Sequence, residues 1–561
     1  MSQRFTMFHL LPNELFYEVF EYLTTYDILY AFKGLNRRID AFLSKYKEYD
    51  LNFISCPKWK FDFVCQSISS EQFRSLILSD DTPRQIHLFF NLFYIRQFVN
   101  LESLTLIEIT EQDSNKLLPK LSHLPNLSYL SIQSRDRTII PSIQSPLVKL
   151  PHHLISKISL KHLSIGICSM SQLQELLSYT SALSSLDVQL YADTITVSSN
   201  FLSTTVKTEI RQLKIKLIEK SNITFYDIEQ LSICMPKLKT FTFIAAKGFR
   251  FIHGNQWEQL IRTYLPELKK FHFKIHPNLE NINVKHVLAT FQTPFWLKEN
   301  QWIIHCDHFI LPNSAHRRVH NVHLYTLPYS DQQFHLCSST QTETKVSKID
   351  YYTIKDLYFS INSAYSSDFA KHYYFSNLDS LTIRNLHKLI PLDNFINLSQ
   401  IKHLTIEPHN TILAEEFFSY ILEHSTQLQS LELSWQILTD ITKNFTHQQV
   451  CLLLSKQIKC LNFLNTIPNK DKSMESLNKI FATNLEKLSV CVTSMDEILI
   501  LLNEMLKLDS MKIEYNSSEI SMNNEELSLW LMKNVPRFKN FTSHTRLISE
   551  KNKCLCLWIG H

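Results

Sequence analysis

Residues 101–106 read Leu101-Glu102-Ser103-Leu104-Thr105-Leu106, one apolar residue followed at +3 and +5 by two more. In an extended chain successive side chains point to opposite faces, so Leu104 and Leu106 share one face while Thr105 takes the other. The phrase returns as Leu160-Lys161-His162-Leu163-Ser164-Ile165 and again at Leu183, Leu238, Leu268, Leu378, Ile401, Leu428, Leu485 and Leu508. Weaker copies begin at Tyr46, Phe73, Leu127, Ile210, Val319, Ile354, Ile458 and Phe538. From Leu101 onward there are sixteen copies. Outside one gap (268 to 319) and two longer steps, they fall 23 to 30 residues apart.

Many of the intervals carry a helical pattern. It is present in Met170–Tyr179, Trp257–Tyr264 and Glu415–Glu423, and is clearest in Met495–Leu506 through Ile498, Leu501, Leu502 and Leu506. One strand and one helix cannot bury their own apolar faces, so neighbouring units must stack to make a core. Phrase and period together resemble the leucine-rich repeat family. The resemblance implies an α/β horseshoe solenoid of about 16–18 irregular repeats. The family phrase continues to an Asn or Cys that bonds across to the next turn, and only Cys168, Asn362 and Asn516 stand at that place. Neighbouring turns are therefore expected to differ in length and curvature.

The longest gap holds Thr293–Leu297 and Trp302–Cys306, read as an inserted strand, followed by Asp307–Arg318 as loop. Ser338–Ser347 is polar and reads as an excursion from the core. The expected organisation is 1–48 as an N-terminal helical module, 49–295 as the first half of the repeats, 296–318 as inserted strand and loop, and 319–561 as the second half with a C-terminal cap.

The N-terminal module opens with Leu10-Leu11-Pro12-Asn13-Glu14-Leu15. Leu15, Val19 and Leu23 fall on one helical stripe, with Pro12 just ahead of it, where a missing N–H costs nothing. Thr24 and Thr25 suit a cap for a second helix beginning near Asp27, and Asn36–Leu43 reads as a third. Three helices in so short a stretch are less core than a domain needs alone. Residues 8–48 resemble the F-box: Leu11, Pro12, Glu14 and Leu15, then Val19, Tyr22 and Leu23, then Asp27 and Ile28, then Arg37, Arg38 and Phe42 match its pattern, while its frequent third-helix tryptophan is absent. The resemblance implies docking onto a Skp-type adaptor, and through it a cullin, by Leu11, Pro12, Leu15, Val19 and Leu23, with Ile28 and Leu29 helping.

Composition excludes several function classes. The 561 residues are 44% hydrophobic and 20% charged, with 57 Lys+Arg against 53 Asp+Glu interspersed for a net +4, which argues against a nucleic-acid partner. Eleven cysteines without a framework spacing, and no signal-like leader, favour reduced thiols in a cytoplasmic or nuclear setting. No apolar run reaches the length of a membrane span. Five glycines, none clustered, exclude Rossmann and phosphate loops. His305, Cys306, Asp307 and His308 lack a second ligand pair at zinc spacing, and Cys554 and Cys556 read as a final buried strand through Ile559. No nucleophile motif or catalytic set emerges, so neither enzyme activity, nor a metal, nor a cofactor is expected.

Residues between the apolar positions of each phrase, and the residue just after it, face outward. Near the middle of the repeats these are Lys214, Lys216, Lys270, His272, Lys274, His323, Tyr325 and Tyr358, a cationic and aromatic set that suits a protein target with an acidic or phosphorylated segment. The expected function is substrate recognition for a Skp-cullin-F-box type ubiquitin ligase. The alternatives are a repeat scaffold for protein–protein interaction outside any ligase, and a GTPase-regulating repeat protein.

Overall fold

A computed structural model describes residues 11–80, 84–133, 160–180, 182–191, 207–218, 221–246, 248–280, 283–312, 318–344, 348–361, 369–384, 390–407, 415–464, 471–516, 524–535, 540–547 and 552–560. The chain forms two compact units, Met1–Phe241 with Thr263–Leu268, and Thr242–Arg262 with Lys269–His561.

The first unit begins with helices α1 (Asn13–Phe20), α2 (Thr25–Phe32) and α3 (Arg37–Lys45). Strands follow as β1 (Tyr49–Asn52), β2 (Phe73–Ser79), β3 (Ser103–Ile107), β4 (Tyr129–Gln133), β5 (His162–Ser169), β6 (Ser185–Tyr191) and β7 (Gln212–Leu217). Each pairs in parallel with the next. Register brings the second apolar residue of each phrase into one column: Leu76, Leu104, Leu130, Leu163, Leu186 and Leu213 are matched strand to strand, and all are buried. A one-residue slip would turn a whole strand's apolar set outward, so this column fixes the register. A backbone device recurs where strands begin. The carbonyl of Glu102 accepts from Ser128 N (2.9 Å) and Tyr129 N (3.0 Å), and that of Lys161 from Ser184 N (2.9 Å) and Ser185 N (3.0 Å). Several helix starts between strands are capped by side chains, as where Ser169 and Gln172 bond each other's backbone N–H at the head of Met170–Tyr179.

β8 (Thr240–Ala245) comes next in sequence, and the second unit continues with β9 (Lys270–Ile275), β10 (Asn278–Glu280), β11 (Ile303–Pro312) and β12 (Arg318–Leu327). Here the direction changes. β11 and β12 form an antiparallel hairpin from Ile303↔Leu327 to Pro312↔Arg318, and β12 pairs antiparallel with both β9 and β10. β13 (Gln333–Cys337), β14 (Gln341–Thr342), β15 (Ile349–Asp350), β16 (Asp356–Ser360), β17 (Tyr373–Tyr374), β18 (Ser380–Arg384), β19 (His403–Ile406), β20 (Ser430–Leu433), β21 (Cys460–Phe463), β22 (Lys487–Cys491) and β23 (Ser510–Asn516) follow. Of these, β13, β16 and β18 to β23 run parallel in order, while β24 (Asn540–Leu547) and β25 (Asn552–Gly560) end the sheet antiparallel. Leu357, Leu381, Leu404, Leu431, Leu461, Leu488 and Met511 form the buried column of this sheet.

These findings correct the expected fold class, an N-terminal three-helix F-box followed by a leucine-rich repeat horseshoe of about 16–18 repeats. The described strands sort instead into two large mixed sheets, of 13 and 10 strands, and a two-stranded one. The apolar alternation behind the count has the same period in parallel and antiparallel strands, so it reports which face is buried and not how a strand runs. The phrases at Val319 and Phe538 match the repeat, yet the strands there, β12 and β24, are antiparallel. Asp307–Pro312, expected as loop, belongs to β11, and Phe295–Glu299 is a short π-helical segment rather than strand. Asn362 lies outside the described residues.

The N-terminal helices are corrected as well. They are not an independent three-helix module, because their core runs on into the first strands. Tyr46 packs on Tyr49 (4.8 Å between rings), Thr25 donates its hydroxyl to the Asp50 carbonyl (2.8 Å), and Gln72 donates to the carbonyls of Leu43 (2.7 Å) and Tyr46 (2.9 Å). No helix among the described residues is long and apolar enough to cross a membrane.

Candidate functional site

The first candidate is the outer face of the N-terminal helices. Their inner face is aromatic: Phe16, Phe20, Phe32 and Phe42 lie with ring centroids 5.2–6.1 Å apart. Phe16 and Phe20 stand four apart, so the buried stripe of α1 is theirs, and the stripe carrying Leu15 and Val19 is turned away from it. Leu15 (39%), Leu23 (36%), Tyr22 (88%), Tyr30 (71%) and Leu35 (58%) are exposed. Pro12 is exposed, and Leu11 and Val19 are half-buried. Arg38 fixes the entry to α1 by donating to the Leu11 carbonyl (2.6 Å) and the Asn13 side chain (3.0 Å). Helix starts are set by Thr24, which accepts from Asp27 N (3.2 Å), and by Asn36, which accepts from Ile39 N (2.9 Å). Two expected docking residues are placed otherwise: Ile28 (3%) and Leu29 (2%) are buried in the core. The sequence match does not distinguish these core positions from outward ones.

The second candidate is a polar and aromatic network inside the second unit. Asp307 is buried and accepts from the Tyr325 hydroxyl (2.6 Å), with His305 Nε2 at 3.1 Å. Burial alone would raise the Asp307 pKa, but neighbouring His305 and the hydrogen bonds from His305 and Tyr325 outweigh it and hold the carboxyl below its ordinary value. Tyr325 also shares a hydrogen bond with the Tyr351 hydroxyl (2.8 Å), and burial drives its own pKa well above normal. On the next strand Lys274 is buried, pairs with Asp331 (2.5 Å), donates to the Gln333 carbonyl (3.0 Å) and lies over the Tyr329 ring (5.2 Å). His276 Nδ1 and His323 Nε2 lie 2.7 Å apart. Burial is the main cause that pushes His323 down to about 3 and His276 well below the usual histidine value.

This network redistributes the expected target-binding set. Lys274, His323 and Tyr325 are internal because the chain after β12 lies over them: Asp331 and Tyr329 against Lys274, Phe334 against His323 and Tyr325, and Tyr351 against Tyr325. His272 is half-buried, its pKa lowered by burial and by Lys270. Lys270 is exposed, and Tyr358 is half-buried with its ring stacked on His335 (4.5 Å). In the first unit Lys214 is exposed and pairs with Asp187 (3.1 Å), while Lys216 is half-buried. The sequence brings His305 and Asp307 forward only as rejected zinc ligands, and it does not point to Tyr351. The signal available was the His305-x-Asp307 alternation, which puts both on one face of a strand.

Among the described residues no group of three or more His, Cys, Asp or Glu side chains is arranged to hold a metal. Cys306 is buried, and burial raises its thiol pKa, so it is not poised as a thiolate. Cys554 and Cys556 are buried on β25 with their sulfurs 3.5 Å apart. Compared with protein-family models and with curated proteins, the chain matches none.

Proposed function

We propose that the chain is the target-recruiting subunit of a Skp-cullin type ubiquitin ligase, with its N-terminal helices docking the adaptor. One observation carries the reading: in the segment whose sequence resembles the F-box, Leu15, Tyr22 and Leu23 form an exposed apolar face opposite a complete aromatic core. Exposed apolar clusters of this kind mark interaction sites. In this reading the remainder of the chain binds a protein target and holds it near the conjugating enzyme, in the cytoplasm or nucleus. The chain contributes proximity and orientation and no chemistry of its own.

The test is co-purification of the tagged full chain with a Skp-type adaptor and a cullin. Adaptor recovery is expected to be lost in Leu11→Ala/Pro12→Ala and in Leu15→Asp/Leu23→Asp. Recovery at the unsubstituted level in both would reject the proposal. A second reading, an interaction scaffold outside any ligase, draws support from the bonds of Thr25 to Asp50 and of Gln72 to Leu43 and Tyr46, which tie the helices to the first strands as an end cover. It predicts a folded chain that recovers no adaptor.

A further inference from the structure

A pocket of about 320 Å³ opens beside β15 in the second unit, lined by Ile303, Leu327, Tyr329, Tyr351, Tyr352 and Asp350 among others. Its aromatic wall is fixed from behind. The Tyr329 hydroxyl donates to the Gln333 carbonyl (2.8 Å), and that of Tyr351 bonds Tyr325 (2.8 Å), so both hydroxyls are committed to internal partners. The backbone is anchored as well, with Tyr351 N donating to the Tyr374 carbonyl (2.8 Å) and the Thr353 hydroxyl to the Tyr329 carbonyl (2.8 Å). Toward solvent, Tyr352 (57%) and Ile303 (42%) are exposed.

Asp350 is the one charged residue among the described residues of this lining, and it is exposed. It accepts from the Ser376 hydroxyl (2.9 Å), and no cation pairs with it among the described residues. Lys348, two positions earlier, is committed to the Asn394 carbonyl (3.0 Å) and the Tyr374 ring (5.1 Å). The pocket therefore combines apolar walls, tyrosine rings and a carboxylate still open to a cation. Tyr329 already carries the Lys274 ammonium over its ring, so a cation on this aromatic group has a precedent inside the molecule.

We propose that this pocket receives an arginine side chain presented by a protein partner, its guanidinium paired with Asp350 and its stem packed on the tyrosines. A pocket of this size is at the small end for organic ligands and suits a single side chain better than a cofactor. Arginine is favoured over lysine because its planar fork both stacks on aromatic rings and meets a carboxylate through two hydrogen bonds. Such residues in pockets are where interface energy concentrates.

The experiment pans a random heptapeptide phage library on the full chain and measures affinities of the selected peptides. Selected peptides are expected to share an arginine. Asp350→Asn keeps an acceptor for Ser376 while removing the charge, and should weaken binding about tenfold. Tyr352→Ala should weaken it also, and arginine-to-lysine exchange in the peptide should do the same. Peptides without arginine, affinity unchanged in Asp350→Asn, or no enrichment at all would each overturn the proposal. The proposal does not rest on adaptor docking. Leu15→Asp/Leu23→Asp should leave peptide binding intact, so failure of one reading is distinguishable from failure of the other.

Discussion

His276 and His323 share one hydrogen bond, Nδ1 to Nε2 at 2.7 Å, and it can form only if one of the two nitrogens is unprotonated. Lys274 and His335 oppose protonation of both rings, while Asp307 favours a charge on His323. Unfolded histidines titrate near about 6.5, so between that pH and the folded value of about 3 the unfolded chain binds more protons than the folded one. The contribution is fully present above the unfolded pKa and is lost as pH falls through this window. Lowering pH from 7.5 to 5 should cost about 2 kcal/mol at His323 alone. Hydrogen exchange of β12 amides measures it, and a flat profile across that range would count against the neutral pair.

A second prediction concerns Asp307. Removing the carboxylate in Asp307→Ala takes the shared charged acceptor from buried His305 and Tyr325, whose remaining neutral partners are Thr342 and Tyr351, and should destabilise the second unit by about 3 kcal/mol. Tyr325→Phe removes one bond and should cost about 1–2 kcal/mol. Because the two act through one hydrogen bond, the double variant should fall short of the sum in denaturant unfolding. Full additivity would mean that the bond is not the source of the loss.

The N-terminal helices separate surface from core. Ile28→Ala and Leu29→Ala should each cost about 2–4 kcal/mol of stability, since both side chains are buried. Leu15→Asp and Leu23→Asp should change stability by no more than about 0.5 kcal/mol each. Thermal denaturation distinguishes them, and equal losses at all four positions would place the outer leucines in the core.

At Gly254 a methyl group has no room, because a Cβ there would overlap the Thr290 carbonyl. Gly254 N also donates to the Thr290 hydroxyl (2.8 Å), so the two backbones are held close. Gly254→Ala should cost about 2 kcal/mol through overpacking, read from the unfolding midpoint.

Much of this architecture was legible because each phrase puts two apolar residues on one side of a strand. Leu104, Leu130 and Leu163 hold the same place in their phrases, and they pair with one another in the sheet. Direction was not legible: Val319-His320-Asn321-Val322-His323-Leu324 carries the same phrase in a strand that runs against its neighbours. The Asp307 network was hidden for a different reason. Its partner Tyr325 lies across the β11–β12 hairpin, and Tyr351 comes from β15 and beyond, so no local spacing announced them. At the N-terminus, spacing alone could not tell Leu15 from Phe16 as the inward residue. The larger ring won the core.

The paired acceptance at the carbonyls of Glu102 and Lys161 makes each strand entry a fixed point of the backbone. A residue inserted there would break two hydrogen bonds and displace the buried leucine two places on, Leu104 or Leu163. The strand entries therefore serve as the ruler against which any change of chain length, such as a grafted epitope or an affinity tag, is aligned.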